Sequence, residues 1–572
     1  MQQILQRWLA RDPDLVTKEE LLALIEKGHR EEISQRFAQR LVFGTAGLRG
    51  VVGAGPARMN RLVVRETSAG LANYILQSLE NAPQRGIMLA YDGRSDSYQF
   101  AKDTACVFAA CGIRVYLTDG VAPTPVGAFG VKHLGCAAGV VITASHNPRE
   151  YNGYKVYWEN GAQIIPPHDK NIAAAIDKAA TMDIPWMEFE SAVAAGKIQL
   201  LGTKFYQAYA DAILNSPLFA KSCQPQLVSI AYTALHGVGA DLAESLLDAA
   251  GFDKVYSVGC QREPDGTFPT VDFPNPEEPG AMDEVIALAK QQCATLACAN
   301  DPDADRLAVA CRTQSGDYEM LTGDQIGLLL GNYALSKANA YTPIICSSIV
   351  SSTMLERVCI EAGAAFRQTL TGFKWLTNVA MASEDETHRF LFAYEEALGY
   401  AFGATVMDKD GLSALLAFTQ MTSELASKGL SVFDELDRLY RRFGLTMTRQ
   451  VSIALKPGKG PVTELLRKSP PTSFAEYSIE TIEDLKTGAH LHAIASSGLK
   501  NMPSADTIIY RLSKGARVIV RPSGTEPKLK CYYELVGTFS KKESYEAAKE
   551  RTEHQLKNLI QAHQTSLAPF LS

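Results

Sequence analysis

Short apolar runs rich in β-branched residues alternate with helix-like stretches along most of this chain, and that alternation restricts its fold most strongly. Residues 87–91, 113–117, 139–143, 227–232, 296–299, 343–347, 390–394, 518–520 and 529–535 have the composition of buried strands. Between them, 242–250, 282–291 and 325–334 carry apolar residues at helical spacing. Repeated strand–helix alternation predicts α/β layers with parallel or mixed sheets. In such sheets ligands bind beyond the carboxyl ends of the strands, so the loops that follow strands are where chemistry is expected. The first 40 residues are expected to be helical, with a capping box at Thr17-Lys-Glu-Glu20 ahead of Leu21, Leu22, Leu24 and Ile25. A closing helix is expected from the box Ser540-Lys-Lys-Glu543 to about Gln564. The Pro-rich stretch 264–279 reads as a long ordered loop or an edge excursion.

Length and composition bound the rest. At roughly 150 residues per domain, 572 residues suggest about four domains. A chain that is 46% hydrophobic and 21% charged is neither disordered, fibrous nor coiled-coil. Its 56 basic and 63 acidic side chains leave a net charge of −7, without the global positive field of a nucleic-acid binder. The 11 cysteines are odd in number and often lie inside apolar runs, the usage of buried thiols in a reducing compartment. No run of about 18 apolar residues offers a membrane span, and the amino terminus lacks the pattern of a secretory signal. A cytoplasmic location is therefore expected, with no membrane or nucleic-acid partner. No residue pattern sets an oligomeric state.

Four loops carry chemistry. Val140-Val-Ile-Thr-Ala-Ser145-His146-Asn-Pro148 places a serine at the mouth of a buried strand with a histidine beside it. That suits an exposed nucleophile, or else a Ser/Asn-rich turn; it is not a G-x-S-x-G elbow. Asn300-Asp-Pro-Asp-Ala-Asp305-Arg306 spaces Asp301, Asp303 and Asp305 two apart, so that they can converge. Clustered carboxylates repel unless a cation sits among them, and hard oxygen donors suit Mg²⁺. An EF-hand would need Gly and Glu where Arg306 and Arg312 stand; an acidic capped turn is the plain alternative.

The third loop, Val520-Arg521-Pro-Ser523-Gly524-Thr525-Glu-Pro-Lys528, has the glycine and donors of a phosphate cradle without a P-loop consensus. Pro457-Gly-Lys-Gly460 is only a turn, and His236-Gly-Val-Gly239 lacks the third glycine of a dinucleotide fingerprint. ATP and NAD sites are therefore disfavoured. The fourth loop, Phe392-Ala-Tyr-Glu395-Glu396-Ala-Leu-Gly399-Tyr400, pairs two carboxylates after a strand. They suit vicinal hydroxyls, or act as solvated acids at a helix start.

Together these loops describe a phosphoryl-transfer device. From Phe43-Gly-Thr-Ala-Gly-Leu-Arg-Gly50 to the 521–528 loop, the chain resembles the α-D-phosphohexomutase family, which includes phosphoglucomutase and phosphomannomutase. The motifs T-A-S-H-N-P, D-P-D-A-D-R and R-P-S-G-T-E-P occur in order. The resemblance implies three similar mixed α/β domains and a C-terminal α+β domain of TATA-box-binding-protein type around a central cleft. The expected spans are 1–205, 206–320, 321–443 and 444–572.

The resemblance further implies that Ser145 is a phosphoserine and that Asp301, Asp303 and Asp305 hold Mg²⁺ together with a phosphoserine oxygen. Arg49 and Lys155 would flank the reacting oxygen; His146 joins them as a candidate acid–base. Arg306, Lys374, Glu395 and Glu396 would contact substrate, and Arg521, Ser523, Gly524, Thr525 and Lys528 would grip the non-reacting phosphate. The expected reaction interconverts sugar 1- and 6-phosphates, glucose first, with a sugar 1,6-bisphosphate as intermediate and activator. Ala397 stands where many family members place a sugar-binding serine, as in the branch with phosphopentomutase and sugar-bisphosphate synthase activities. Mannose and pentose phosphates are the rival substrates. A metal-dependent phosphatase and a non-catalytic sugar-phosphate binder are the rival classes.

Overall fold

Strand Ile87–Tyr91 is buried at every position, so both of its faces must be covered by helices. Burying such a side chain contributes about 1.5–3 kcal/mol, which is why a five-residue apolar run between polar turns settles as a central strand. The structure, a computed structural model, describes residues 1–44, 47–219, 224–338, 341–455, 462–488, 502–523, 528–540 and 542–571. It divides into two compact units, Met1–Leu321 with Ala397–Ser427, and Thr322–Glu396 with Lys428–Ser572.

The first unit holds two sheets. In the six-stranded one, Ala138–Ile142, Ile87–Tyr91, Val115–Thr118 and Ile198–Leu201 run parallel. Tyr151–Trp158 and then Gly47–Val51 are added antiparallel beside Ala138–Ile142. In the five-stranded sheet, Leu296–Ala299, Ile230–Thr233 and Val255–Ser257 are parallel, and Ala308–Arg312 and Tyr318–Met320 extend one edge antiparallel. Residues 397–427, inside the span expected as a third domain, join this unit: Leu307 N–H donates to Leu398 O at 3.1 Å, and Gly411 N–H donates to Ala304 O at 3.2 Å.

The amino-terminal helices are Gln2–Arg11, Leu15–Glu26 and Arg30–Phe37. The expected capping box at Thr17 is not used. The helix starts earlier, because the Asp14 side chain accepts from Val16 N–H, and the Thr17 hydroxyl donates to Asp12 at 2.6 Å. An aspartate ahead of the run supplies the cap equally well.

In the second unit, Ala365–Thr369, Thr342–Ser348 and His388–Glu395 are parallel. Its carboxy-terminal part is an antiparallel sheet ordered Leu445–Ala454, Lys528–Gly537, Arg517–Pro522, Ile508–Leu512, Tyr477–Asp484, Ser473–Phe474. Leu556, Leu559 and Leu567 of the helix Tyr545–Leu571 pack into the core of that sheet. This helix is capped by Ser544, whose hydroxyl accepts from Ala547 N–H at 3.2 Å, and it runs past the expected end at 564. Residues 264–279 are ordered coil, as expected of that Pro-rich stretch.

Candidate active site

Ser145 follows strand Ala138–Ile142 and is nearly buried. The Thr143 hydroxyl accepts from Ser145 N–H at 2.8 Å, which bends the loop. Ser145 itself lies in the left-handed region, φ 53°. That conformation costs a non-glycine residue roughly 1–2 kcal/mol and is found where function requires it. The Ser145 hydroxyl donates to Asp301 at 2.8 Å and lies 3.2 Å from His146 Nδ1. Arg49 comes from the antiparallel strand Gly47–Val51 and donates to Asn147 Oδ1 at 3.0 Å.

The metal-loop aspartates are wholly buried, and one carboxylate oxygen from each can be chosen so that all three lie within 4.8 Å of one another. Strand Leu296–Ala299 delivers them, and the loop turns through Ala304 at φ 54°. The His236–Gly239 turn is packing, not a nucleotide fingerprint: a Cβ on Gly237 would sit 2.3 Å from Pro302 Cα. Lys155, from strand Tyr151–Trp158, donates to Asp303 at 2.6 Å and to Asp305 at 3.1 Å. Arg306 N–H donates to Asp301 at 3.0 Å, and its guanidinium lies 3.4 Å from Glu277.

Two neighbours were not legible in the sequence. Thr124 donates its hydroxyl to Asp303 at 2.7 Å, and Lys409 Nζ lies 3.0 Å from Asp305. Next to Lys409, Asp410 caps the helix Gly411–Ala426. Only the fold shows that Lys409 reaches the acidic loop.

Electrostatics follow from this crowding. Burial and the neighbouring Asp303 and Asp305 push the Asp301 carboxyl well above the usual range. Burial would raise Asp303 too, but the Lys155 ammonium outweighs it and holds that carboxyl low. Burial would lower the Lys155 ammonium, yet Asp303 and Asp305 raise it, so it stays protonated. Burial, Arg306 and Arg49 push the His146 imidazole well below its ordinary value, so it is neutral. Asp303 Oδ1 and Asp305 Oδ1 are buried and have no hydrogen-bond partner among the described residues. Unpartnered buried carboxylate oxygens of this kind are costly without a cation. The donor set fits a hard divalent ion.

In the second unit, Glu395 ends strand His388–Glu395 and accepts from Gly372 N–H at 2.5 Å. Arg521 donates to the Thr371 hydroxyl. Both therefore meet the turn ahead of Lys374, which opens the helix Phe373–Ala382 and is buried. Ser523 N–H donates to Lys528 O at 2.8 Å, closing the base of the 521–528 loop. Gly524 and Thr525 lie outside the described residues.

Glu396 accepts from the Ser348 and Ser351 hydroxyls at 3.2 and 3.1 Å. Burial, Glu395 and Asp324 push its carboxyl up to about 7. A raised folded-state pKa gives stability that is complete below pH 4.5 and lost as pH rises through 7. Glu396→Gln is therefore expected to flatten the fall in unfolding free energy between pH 4.5 and 7, by on the order of 2 kcal/mol. Urea unfolding across that range checks this; an unchanged slope would refute the protonation of Glu396.

Models of the phosphoglucomutase/phosphomannomutase α/β/α domains I, II and III match residues 40–183, 207–316 and 322–443, and the C-terminal domain model matches 483–549. The human phosphopentomutase is 36% identical over 562 residues, covering 92% of this chain and 90% of that protein. The chain belongs to the α-D-phosphohexomutase family. As a member it is a phosphosugar mutase, an isomerase-type phosphotransferase, with the family's four-domain architecture. The human glucose 1,6-bisphosphate synthase is 31% identical, covering 97% of this chain and 92% of that protein. The solved structure of the Paramecium phosphoglucomutase parafusin, in its open form, superposes with a TM-score of 0.68 at 16% identity, covering 93% and 95% of the two chains. At that identity the likeness speaks for the fold.

Proposed function

We propose that this phosphohexomutase interconverts a sugar 1-phosphate and its terminal phosphate through phospho-Ser145. The observation that carries this reading is the Ser145 hydroxyl on Asp301, at the edge of a buried triaspartate cluster that also holds Lys155. The P–O bond to Ser145 Oγ breaks as the sugar hydroxyl oxygen bonds phosphorus and releases its proton. His146, 3.2 Å from Oγ, is placed to pass that proton to the serine oxygen as it leaves, which regenerates the serine hydroxyl. Lys155 and Arg49 offset charge developing on the transferring group. Asp301, Asp303 and Asp305, with an oxygen of phospho-Ser145, would hold Mg²⁺, which when bound neutralises phosphoryl charge.

The product of the first transfer is a sugar bisphosphate. Its other phosphate is then returned to Ser145, so the same serine serves both ends. Arg306 and Lys374 contact substrate in this reading, while Glu395 and Glu396 read hydroxyls. Arg521, Ser523, Gly524, Thr525 and Lys528 hold the phosphate that is not reacting. Four domains, at 1–205, 206–320, 321–443 and 444–572, each contribute one of these loops. The cysteines support a cytoplasmic setting, since each of the ten described is unbridged. No helix among the described residues is long and apolar enough to cross a membrane.

For the sugar, the first reading is glucose 1-phosphate and glucose 6-phosphate. The second, a pentose 1-phosphate and its 5-phosphate, is favoured by the name of the human phosphopentomutase. Ala397 supports broad tolerance, because a missing hydroxyl removes one contact that would discriminate between sugars. A panel of glucose, mannose, ribose and N-acetylglucosamine 1-phosphates, assayed with Mg²⁺ and catalytic bisphosphate, checks this. Conversion of both glucose and ribose phosphates, with kcat/KM within about 100-fold of each other, is expected. Failure of every sugar phosphate would sink the mutase reading.

A further inference from the structure

One buried arginine, which the transfer chemistry does not use, organises the whole serine loop. Arg94 follows strand Ile87–Tyr91 and is 5% exposed. Its Nη1 donates to Pro148 O at 2.8 Å and to Tyr151 O at 2.9 Å. Its Nη2 donates to Ser145 O at 2.7 Å and to Asn147 O at 2.6 Å. Nε lies 3.3 Å from Asp92 Oδ2. Asp92 Oδ1 in turn accepts from Arg94 N–H at 3.1 Å and from the Ser97 hydroxyl at 2.5 Å. A planar, always-charged fork can address four carbonyls at once, which an ammonium cannot.

The carbonyls belong to the turn in which Ser145 holds its left-handed backbone. Without the guanidinium, Ser145 O would be a buried acceptor that had lost this donor, and the half-buried Asn147, Pro148 and Tyr151 carbonyls would lose theirs from this side chain, so the turn would relax.

The lid on this arginine comes from the ordered Pro-rich coil. The Phe268 ring covers the guanidinium at 5.1 Å, and Phe268 is itself buried. Gly266 lies directly on the Arg94 backbone: a Cβ there would stand 2.9 Å from Arg94 Cα and 2.9 Å from Ser95 N. The coil is tied down by Asp265 N–H donating to His236 O at 2.9 Å, and by Thr270 within 2.8 Å of both His236 Nε2 and Gln261 Nε2. Further along, Glu277 meets Arg306 of the metal loop. The 264–278 segment therefore touches two arginines near the reacting serine, Arg94 behind its loop and Arg306 beside the aspartates.

We infer that Arg94, clamped by the 264–268 strap, is a positioning residue that holds Ser145 in its transfer-competent backbone conformation without touching substrate. The inference rests on Ser145 being the phosphoryl carrier. It makes the strap a determinant of rate and not of affinity, since the hydrogen bonds described for Arg94 go to the serine loop and Asp92, and Gly266 packs on the Arg94 backbone.

The test uses the full-length protein with Mg²⁺ and ³²P-labelled glucose 1,6-bisphosphate, and compares Arg94→Lys and the milder Gly266→Ala with wild type. Single-turnover labelling of Ser145 is followed by rapid quench and peptide mapping, alongside steady-state kcat and KM. Displacement of a reacting atom by about 1 Å costs about 100-fold in rate. Arg94→Lys is expected to slow labelling and kcat by about that factor, and Gly266→Ala by about tenfold. In both, KM stays within threefold and the labelling amplitude stays near that of wild type. A merely structural defect would lower the amplitude, as part of the protein unfolds, and leave the rate of the remainder unchanged. That result, or a labelling rate within threefold of wild type in Gly266→Ala, overturns the inference. Wild-type label at a residue other than Ser145 overturns the carrier assignment and this inference together, whereas Ser145 labelling with unaffected variants overturns this inference alone.

Discussion

Ser145→Ala is expected to lose turnover on the order of 10⁴-fold or more while binding sugar phosphate within about threefold of wild type. The reason is local. Oγ is the atom that donates to Asp301 and lies 3.2 Å from His146, whereas Glu395, Arg521 and Lys528, the residues proposed to bind sugar and phosphate, belong to the other unit of the chain. Removing one oxygen deletes the phosphoryl acceptor and leaves those groups in place. The loss should also be insensitive to added bisphosphate, because priming has no acceptor. Calorimetric titration with substrate and a coupled rate assay separate the two quantities. Turnover unchanged in the alanine protein would refute the carrier assignment.

The second large effect concerns the aspartate cluster. Chelation is expected to abolish turnover, and added Mg²⁺ to restore it. Asp301→Asn should lower turnover about 10³-fold, since electrostatic stabilisation of a transferring charge is the largest single contribution in such a site. Stability gives an independent check. An ion present at about 100 times its dissociation constant stabilises the protein by about 2.7 kcal/mol, so Mg²⁺ should raise the melting temperature of the wild type. The asparagine variant should lose most of that rise. Metal-free, it should be no less stable than wild type, because burial and its two neighbours already disfavour the Asp301 charge. Full activity in chelator would contradict this account.

Much of this was written in the chain as strand-then-loop punctuation. The apolar run 87–91 becomes strand Ile87–Tyr91 without adjustment, and 296–299 delivers the metal loop. Those runs are legible because both faces of a parallel strand are covered, which leaves no room for polar alternation. Tyr151–Trp158 and Gly47–Val51, which carry Lys155 and Arg49, did not stand out. They are antiparallel additions to the sheet with tyrosines, an asparagine and glycines in them, and no local pattern marks them as strands.

The site shows the same division. Ser145 and the three aspartates announce themselves because like groups are packed into a few residues. Lys409 and Thr124 lie 104 and 179 positions from the aspartates they meet, and each looks locally like a helix start. Arg94 is harder still, because its partners are backbone carbonyls, which no side-chain pattern encodes. Glu396 was legible as a carboxylate but not as one that burial and a like-charged neighbour keep protonated near neutrality.

The central claim is that a phosphoryl group passes from Ser145 to a sugar and back, with transfer to water at most a minor side reaction. Following the label of ³²P-phosphoenzyme after mixing with unlabelled glucose 1-phosphate and Mg²⁺ tests it directly. The account predicts that label leaves Ser145 and appears first in sugar bisphosphate and then in sugar monophosphate, with inorganic phosphate a minor product. Label accumulating as free phosphate at the rate at which it leaves Ser145 would identify a phosphatase and contradict the mutase.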